Sequence, residues 1–345
     1  MIRFVALALG LLMLDYGFGL RIPRIMPAHA STHLQQSTGF LTAQMDSLNA
    51  LNAELLAIRE GEQLGKSTGG VGTLTKISGA VAQVKGVAVG RLLELEGCLS
   101  ISNVLSAATA RSLLAFINEE NVRCEAEVDA GVVPFDERFG GVNCRGRKVK
   151  YGQRRDLYMP MTSPIVRAAL KEAFGNLEPM LHKVVGQAGM LHEVSCVISD
   201  PESPRQCVHA DTIVLPCPQY PQASMEPLYT FFIALQDVED GMGHTVFIPK
   251  THTPEAHLLW NAGDAVGKMK FLGLQKVVQS KLQMGDCSAF DSRVLHCGRE
   301  NSSDKRRVLF YFTISRQHDW PLPNGLHGSN SMRVEDRWKY TLDQF

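Results

Sequence analysis

Apolar residues recur at spacings of three and four from 42 to 59 (Met45, Leu48, Leu51, Leu55, Ile58), a stripe that predicts a helix. A glycine-rich stretch at 61–70 follows and reads as a linker. Its Gly65-Lys66-Ser67-Thr68 differs from a phosphate-binding loop, because Gly61 and Gly65 enclose three residues where four are needed and no strand precedes them. The short apolar run 98–101 predicts a strand, and Ser106 stands where it would cap a helix over 106–117. A second helix is predicted over 164–185, with Pro164 in its first turn and Val166, Leu170, Phe174 and Leu177 on one side. From residue 191 the texture becomes β-branched and alternating, broken by Pro, Gly and Asp. Strands are predicted at 191–199, 206–215, 229–236, 245–249, 276–283, 287–290 and 307–315. Short strands after helices imply a mainly β fold with supporting helices, a sandwich or barrel.

Composition narrows the classes. The chain has 345 residues, 45% of them hydrophobic, and 35 Lys+Arg balance 35 Asp+Glu. A neutral chain has no global pull toward nucleic acid, so no nucleic-acid partner is expected. The eight cysteines contain no C-x-x-C pair, which argues against both a disulfide framework and a zinc ribbon. The apolar run 4–14 follows a basic start and is too short to cross a bilayer of about 30 Å. With small residues at 27–30, it reads as a signal leading to export, an organelle lumen, or a plastid by way of the secretory path. No later stretch is apolar enough to span a membrane. The expected organisation is a targeting segment at 1–30, a helix plus glycine-rich linker at 31–90, a catalytic domain at 91–320 and a tail at 321–345.

Chemistry enters with Gln206-Cys207-Val208-His209-Ala210-Asp211. In an extended segment His209 and Asp211 project from one face, where an imidazole and a carboxylate can share a cation. His296, late in the β region, is the candidate third ligand. Two histidines and one carboxylate on a facial triangle leave open positions on Fe(II), the ligand set of non-haem iron oxygenases. Ten residues separate His296 from Arg307, which begins a strand that could return its guanidinium toward the metal to grip a carboxylate with two parallel hydrogen bonds.

These pieces, in order, are the 97–106 segment before the first helix, Gln206-x-x-His209-x-Asp211, the 243–252 segment, Gly285-Asp286, and His296-x-Gly298-x-x-Asn301 with Arg307. Together they resemble the phytanoyl-CoA dioxygenase family of Fe(II)- and 2-oxoglutarate-dependent oxygenases over about two-thirds of the chain. The resemblance implies a double-stranded β-helix (jelly-roll, cupin-like) core, iron held by His209, Asp211 and His296, and 2-oxoglutarate anchored by Arg307. With O2 as the oxidant, it further implies hydroxylation of a small-molecule or lipid-like substrate with release of succinate and CO2. Related halogenases carry a small residue in place of the carboxylate, so Asp211 favours hydroxylation. Lys250-Thr251 departs from the family's usual Gly-Ser, and the proline-rich stretch 215–221 falls where substrate contacts are expected, so family substrates do not carry over.

Other residues invite plainer readings. Gln206 either hydrogen-bonds 2-oxoglutarate or satisfies a strand edge. His252 is expected to brace a loop, and His244 and His257 to lie on the surface. Arg306 and Arg307 face opposite ways on a strand, so only one points inward, and the resemblance to the family favours Arg307. Cys207 reads as a buried filler. Arg145, Arg147, Lys148, Lys150, Arg154 and Arg155 read as a solvated loop. Asn301-Ser302-Ser303 is a glycosylation sequon of doubtful occupancy. Two other functions compete with the oxygenase: a catalytically silent β-helix binding protein, and a zinc hydrolase with the same ligand triangle. A hydrolytic zinc site has no use for Arg307.

Overall fold

The last predicted strand organises the molecule. In the computed structural model it is Arg307–Ser315, here β12, and all nine of its residues are buried. Such a strand is covered on both faces. Val308, Phe310, Phe312 and Ile314 point to one side, and Arg307, Leu309, Tyr311 and Thr313 to the other. The structure describes residues 72–142, 153–212, 227–316 and 331–345. The expected leader, the helix at 42–59, the linker at 61–70, the basic positions 145–150 and the prolines at 215–221 lie outside them.

β12 sits inside an eight-stranded sheet in the order β2-β3-β10-β7-β12-β6-β5-β4. These are Lys76–Ile77 (β2), Cys98–Ile101 (β3), Phe139–Gly140 (β4), Arg154–Tyr158 (β5), Met190–Ser199 (β6), Leu228–Ala234 (β7) and Cys287–Asp291 (β10). A four-stranded sheet, β1-β9-β8-β11, is built from Gly72–Thr73 (β1), Thr245–Phe247 (β8), Val278–Gln279 (β9) and His296–Gly298 (β11). Leu74, Phe247 and Val278 of the small sheet's side meet Cys98, Phe290 and Phe232 of the large one, so the two sheets face each other. This is the double-stranded β-helix expected from the resemblance.

Helices cover the outer face of the large sheet. Phe174, from α4 (Pro164–Val185), meets the edge of Phe312 at 5.0 Å, and Phe312 stacks on Phe231 at 4.9 Å. The α4 bounds agree with the periodicity. α3 (Ala107–Asp129) is capped by Ser106, whose Oγ accepts from the Thr109 amide at 3.2 Å, and it runs twelve residues past the expected end. The apolar stripe is interrupted at Glu120 and Asn121, which are nonetheless buried. Arg333 and Arg123 meet Glu120, and Arg155 donates to Asn121 at 3.2 Å, so polar residues continue the buried face.

Several expectations change. Residues before the expected domain start at 91 join the same sheets. β1 pairs with β9 and β2 with β3, while α1 (Gly79–Val84) and α2 (Gly86–Glu96) cover the sheet beside α4. Residues 331–345, within the expected C-terminal tail, are tied to the rest of the chain, the Leu191 amide donating to Tyr340 O at 3.0 Å and the Met161 amide to Asp336 at 3.1 Å. The strand expected at 206–215 is, as far as residue 212, a looser segment bridged at His209, and the one at 276–283 shrinks to β9. β5 was unforeseen. Its Arg154 and Arg155, expected on a solvated loop, are 4% and 9% exposed. Strand alternation sends Arg155 outward to Asp200 at 2.5 Å and Arg154 inward to Gln206 at 3.1 Å. Among the described residues no helix is long and apolar enough to cross a membrane.

Candidate metal centre

His209 and His296 are opposed across an antiparallel bridge. Each amide donates to the other's carbonyl, at 3.0 and 2.8 Å. Such a pair holds its Cα atoms about 5.5 Å apart, and the two rings lie 4.5 Å from centroid to centroid. Asp211, two residues on, is fixed by its amide to Ser292 O at 2.9 Å. One ligand atom from each of His209, Asp211 and His296 falls within 4.8 Å of the others. The Asp211 carboxylate lies 3.4 Å from His209 Nε2 and 3.6 Å from His296 Nε2.

The tautomers follow from the backbone. His209 Nδ1 lies 2.8 Å from Cys207 O, and His296 Nδ1 lies 2.9 Å from Val294 O. A carbonyl can only accept, so each Nδ1 carries its proton and each Nε2 lone pair is left for a cation. Burial alone would raise the Asp211 carboxyl, but the two imidazoles outweigh it and hold it below the ordinary carboxylate range. Burial also opposes charging of His209, yet Asp211 raises it, whereas burial and the charge of His209 lower His296. One ionised carboxylate and two imidazole nitrogens form the donor set of a facial triad with open positions.

The triad lines a cavity of about 280 Å³ that also contains Gln206 and Arg307. Arg307 is 1% exposed. Its guanidinium donates to Gly243 O and, at 3.2 Å, to Ser199 Oγ, while Nε has no partner. Burial and the nearby charge of Arg154 push its pKa well below the guanidinium norm. No carboxylate among the described residues meets it. A desolvated cation without a counter-ion, facing a cavity, is a site for an anionic ligand. Arg306 points away and pairs with Asp200 at 2.5 Å, as strand alternation requires.

Gln206 serves the strand edge. Its Oε1 accepts from the Gly298 amide at 2.8 Å and from Arg154 at 3.1 Å, and the side chain also lines the cavity. Gly298 is tight because a Cβ there would lie 2.0 Å from Arg154 Nη1. His252 braces a loop, its Nε2 lying 3.0 Å from Glu94 O. Gly97, at φ +78°, must lack a side chain, for a Cβ would lie 2.4 Å from the His252 ring.

His244 and His257 are buried rather than on the surface. His244 Nδ1 lies 3.1 Å from Ser280 O and His257 Nε2 lies 2.6 Å from Arg293 O, and each carbonyl satisfies a ring nitrogen away from water. Cys207, expected to be buried, is exposed. Asn301 is fully buried, its amide nitrogen donating to Ser199 O and Lys305 O at 2.9 and 2.8 Å, which leaves the sequon no room for a glycan. The sequence reading missed Arg154, Asp156 and Glu193 in the cavity region. A lone Glu inside the apolar run 190–199 was the one available signal.

The sequence matches the family described as "Phytanoyl-CoA dioxygenase (PhyH)" over residues 93–309. No curated protein matches it. Among solved structures, it is similar to the non-haem α-ketoglutarate-dependent epimerase SnoN from nogalamycin biosynthesis, at 16% identity over 72% of this chain and 93% of that one, with a TM-score of 0.48. HygX from Streptomyces hygroscopicus, with nickel and 2-oxoglutarate bound, shares 16% identity over 72% and 97% of the two chains, with a TM-score of 0.49. The carbocyclase SnoK shares 18% over 66% and 82%, with a TM-score of 0.47.

Proposed function

Because the chain belongs to the phytanoyl-CoA dioxygenase family, we propose that this 2-oxoglutarate-dependent oxygenase hydroxylates a C–H bond of a small-molecule substrate. Its cofactors are Fe(II), 2-oxoglutarate and O2. The observation that carries the reading is the placement of Arg307, a fully buried guanidinium with an unpartnered Nε, in one cavity with a two-histidine, one-carboxylate triad. The residues fit both groups, a metal with open positions and a dicarboxylate whose far end needs a buried cation.

His209, Asp211 and His296 would hold the iron by one face. Their Nδ1 contacts to backbone carbonyls keep both rings aimed without help from solvent. Arg307 would take the distal carboxylate of 2-oxoglutarate, and the Ser199 hydroxyl beside it steadies the guanidinium. Arg154 and the Gly298 amide fix the Gln206 carbonyl at the cavity wall. Val197, Leu309 and Phe232, also in the lining, exclude water from the reacting centre. When bound, iron and 2-oxoglutarate supply activation of O2 coupled to oxidative decarboxylation, giving succinate and CO2. Asp211 would supply a carboxylate ligand where a halogenase leaves room for a halide, which supports hydroxylation.

The test is anaerobic titration of the folded protein with Fe(II) and 2-oxoglutarate, followed by the visible charge-transfer band of the chelate. The band appears in the wild type and is lost in Asp211→Ala, together with substrate-dependent succinate. A folded wild type with no band, or an Asp211→Ala protein that makes succinate at the wild-type rate, overturns the assignment.

A further inference from the structure

The inward face of the large sheet changes sign along its strands. At one end Arg307 of β12 pairs in register with Ser199 of β6, which pairs with Arg154 of β5. Six residues along β12, about 20 Å at strand rise, Thr313 pairs with Glu193. Asp156 and Glu193 line the same cavity as the triad and Arg307.

Among the described residues, every donor to these two carboxylates is neutral. Asp156 accepts from Ser195 Oγ at 2.6 Å, from Ser331 Oγ at 2.7 Å and from the Tyr311 hydroxyl at 3.0 Å. Glu193 accepts from Thr313 Oγ1 at 2.6 Å and from the Ser331 amide at 3.2 Å. A carboxylate offers about four acceptor positions, so Glu193, with two taken, keeps capacity toward the cavity, while Asp156, whose second oxygen Tyr311 also reaches at 3.1 Å, is filled and acts through its charge. Desolvation first, and then the charge of Asp211, push Asp156 above its usual range, and desolvation with the charges of Asp211 and Asp156 pushes Glu193 up to about 8. A wall that only held strands together would be cheaper as amides or hydroxyls, because an uncompensated buried charge is costly.

The acids do not stand alone as a sign of a ligand. Arg307, 99% buried with Nε unpartnered, opens into the same cavity and accounts for the anionic cosubstrate at the opposite pole. The acidic pole then remains for the second organic reactant. Resting on the oxygenase reading above, we infer that Asp156 and Glu193 bind the cationic group, an ammonium or a guanidinium, of the substrate to be oxidised. Val197, Leu309 and Phe232 lie in the same lining and would cover the carbon skeleton between the two poles. The substrate class is therefore an organic amine or guanidine, held by charge at one end and presented to the triad by its C–H bonds.

The experiment uses the full-length protein loaded anaerobically with Fe(II) and 2-oxoglutarate. The probes are benzylamine, cyclohexylmethylamine and agmatine, each beside its N-acetyl amide, with phenylacetate and cyclohexylacetate as anionic counterparts. Binding is read from the shift of the charge-transfer band and from paramagnetic broadening of the probe's proton resonances. The amines are expected to bind about tenfold or more tightly than their amides, since hydrogen bonds to charged groups contribute about 1.5–3 kcal/mol, and the carboxylates not to bind. In Glu193→Gln and in Asp156→Asn the amine-to-amide ratio falls toward one. The inference is overturned if amides or carboxylates match the amines in the wild type, if no amine binds while the band is intact, or if the preference survives in the variants. Should Asp156→Asn fail to fold, Glu193→Gln decides alone. A missing band in the wild type instead overturns the oxygenase reading, which keeps the two failures apart.

Discussion

Arg306 and Arg307 are neighbours on one chain, yet they live in opposite electrostatic worlds. Arg306 faces out, donates to Asp200 at 2.5 Å and shares that carboxylate with Arg155. Arg307 faces in, is buried, and finds a carbonyl and a hydroxyl but no carboxylate. Burial would raise Asp200, but the two arginines outweigh it and hold Asp200 below its usual range, so the outer site is internally neutralised. The same contrast separates Glu120, met by Arg333 and Arg123, from Asp156 and Glu193, which among the described residues are met only by neutral donors. Where charge serves the fold, its opposite is supplied from within the chain. Where it lines the cavity, the opposite is left for a ligand to bring.

The comparison breaks first at Arg307. Replacing it with Gln removes two charge-assisted hydrogen bonds of about 1.5–3 kcal/mol each. The 2-oxoglutarate concentration needed to half-develop the charge-transfer band should rise about a hundredfold or more, and an unchanged titration would show that Arg307 is not the anchor. Gly298→Ala comes next. Its Cβ would lie 2.0 Å from Arg154 and 2.7 Å from Gln206 Oε1, and overpacking of this kind costs about 1–3 kcal/mol. A fall of about tenfold in kcat/KM for 2-oxoglutarate is expected, and wild-type kinetics would show that Arg154 and Gln206 can give way freely.

Arg306→Gln should act on stability alone. Its pair with Asp200 is partly exposed, so the loss is about 1 kcal/mol or less, a drop in Tm of about 2–4 °C, with the 2-oxoglutarate titration unmoved. The smallest effect is a pH dependence at Glu193, whose carboxyl is raised from 4.5 to about 8 by burial and by the charges of Asp211 and Asp156. The fold favours the protonated form. Its contribution is complete below about 4.5 and is lost as pH rises through about 8. The Tm of the wild type minus that of Glu193→Gln should therefore fall across that window, and a flat difference would place Glu193 in contact with a compensating cation.

The convergence of His209, Asp211, His296 and Arg307 on one cavity was legible because each sits in a short, ordered motif whose chemistry is local to an extended segment. α4 and β12 were legible because an apolar stripe or run marks their full length. β5 was not, since Arg154-Arg155-Asp156 carries charge on both faces, and periodicity cannot tell a face turned to water from one turned to a polar cavity or an ion pair. His244 and His257 misled for a related reason, as their partners are backbone carbonyls 36 residues away. The acidic wall left only the trace at Glu193. Asp156 and Glu193 are 37 positions apart, and the sheet alone brings them together.

The hydroxyls around Asp156 arrive from spans of 39, 155 and 175 residues. A chain emerging from the ribosome has His209, Asp211, His296 and Arg307 in hand by residue 307, but Ser331, which donates to both acids, is still to come. The nascent protein can thus complete its inorganic half before its selective half. Pairings across such distances form slowly, so the wall that would choose a substrate is among the last parts of the molecule to mature.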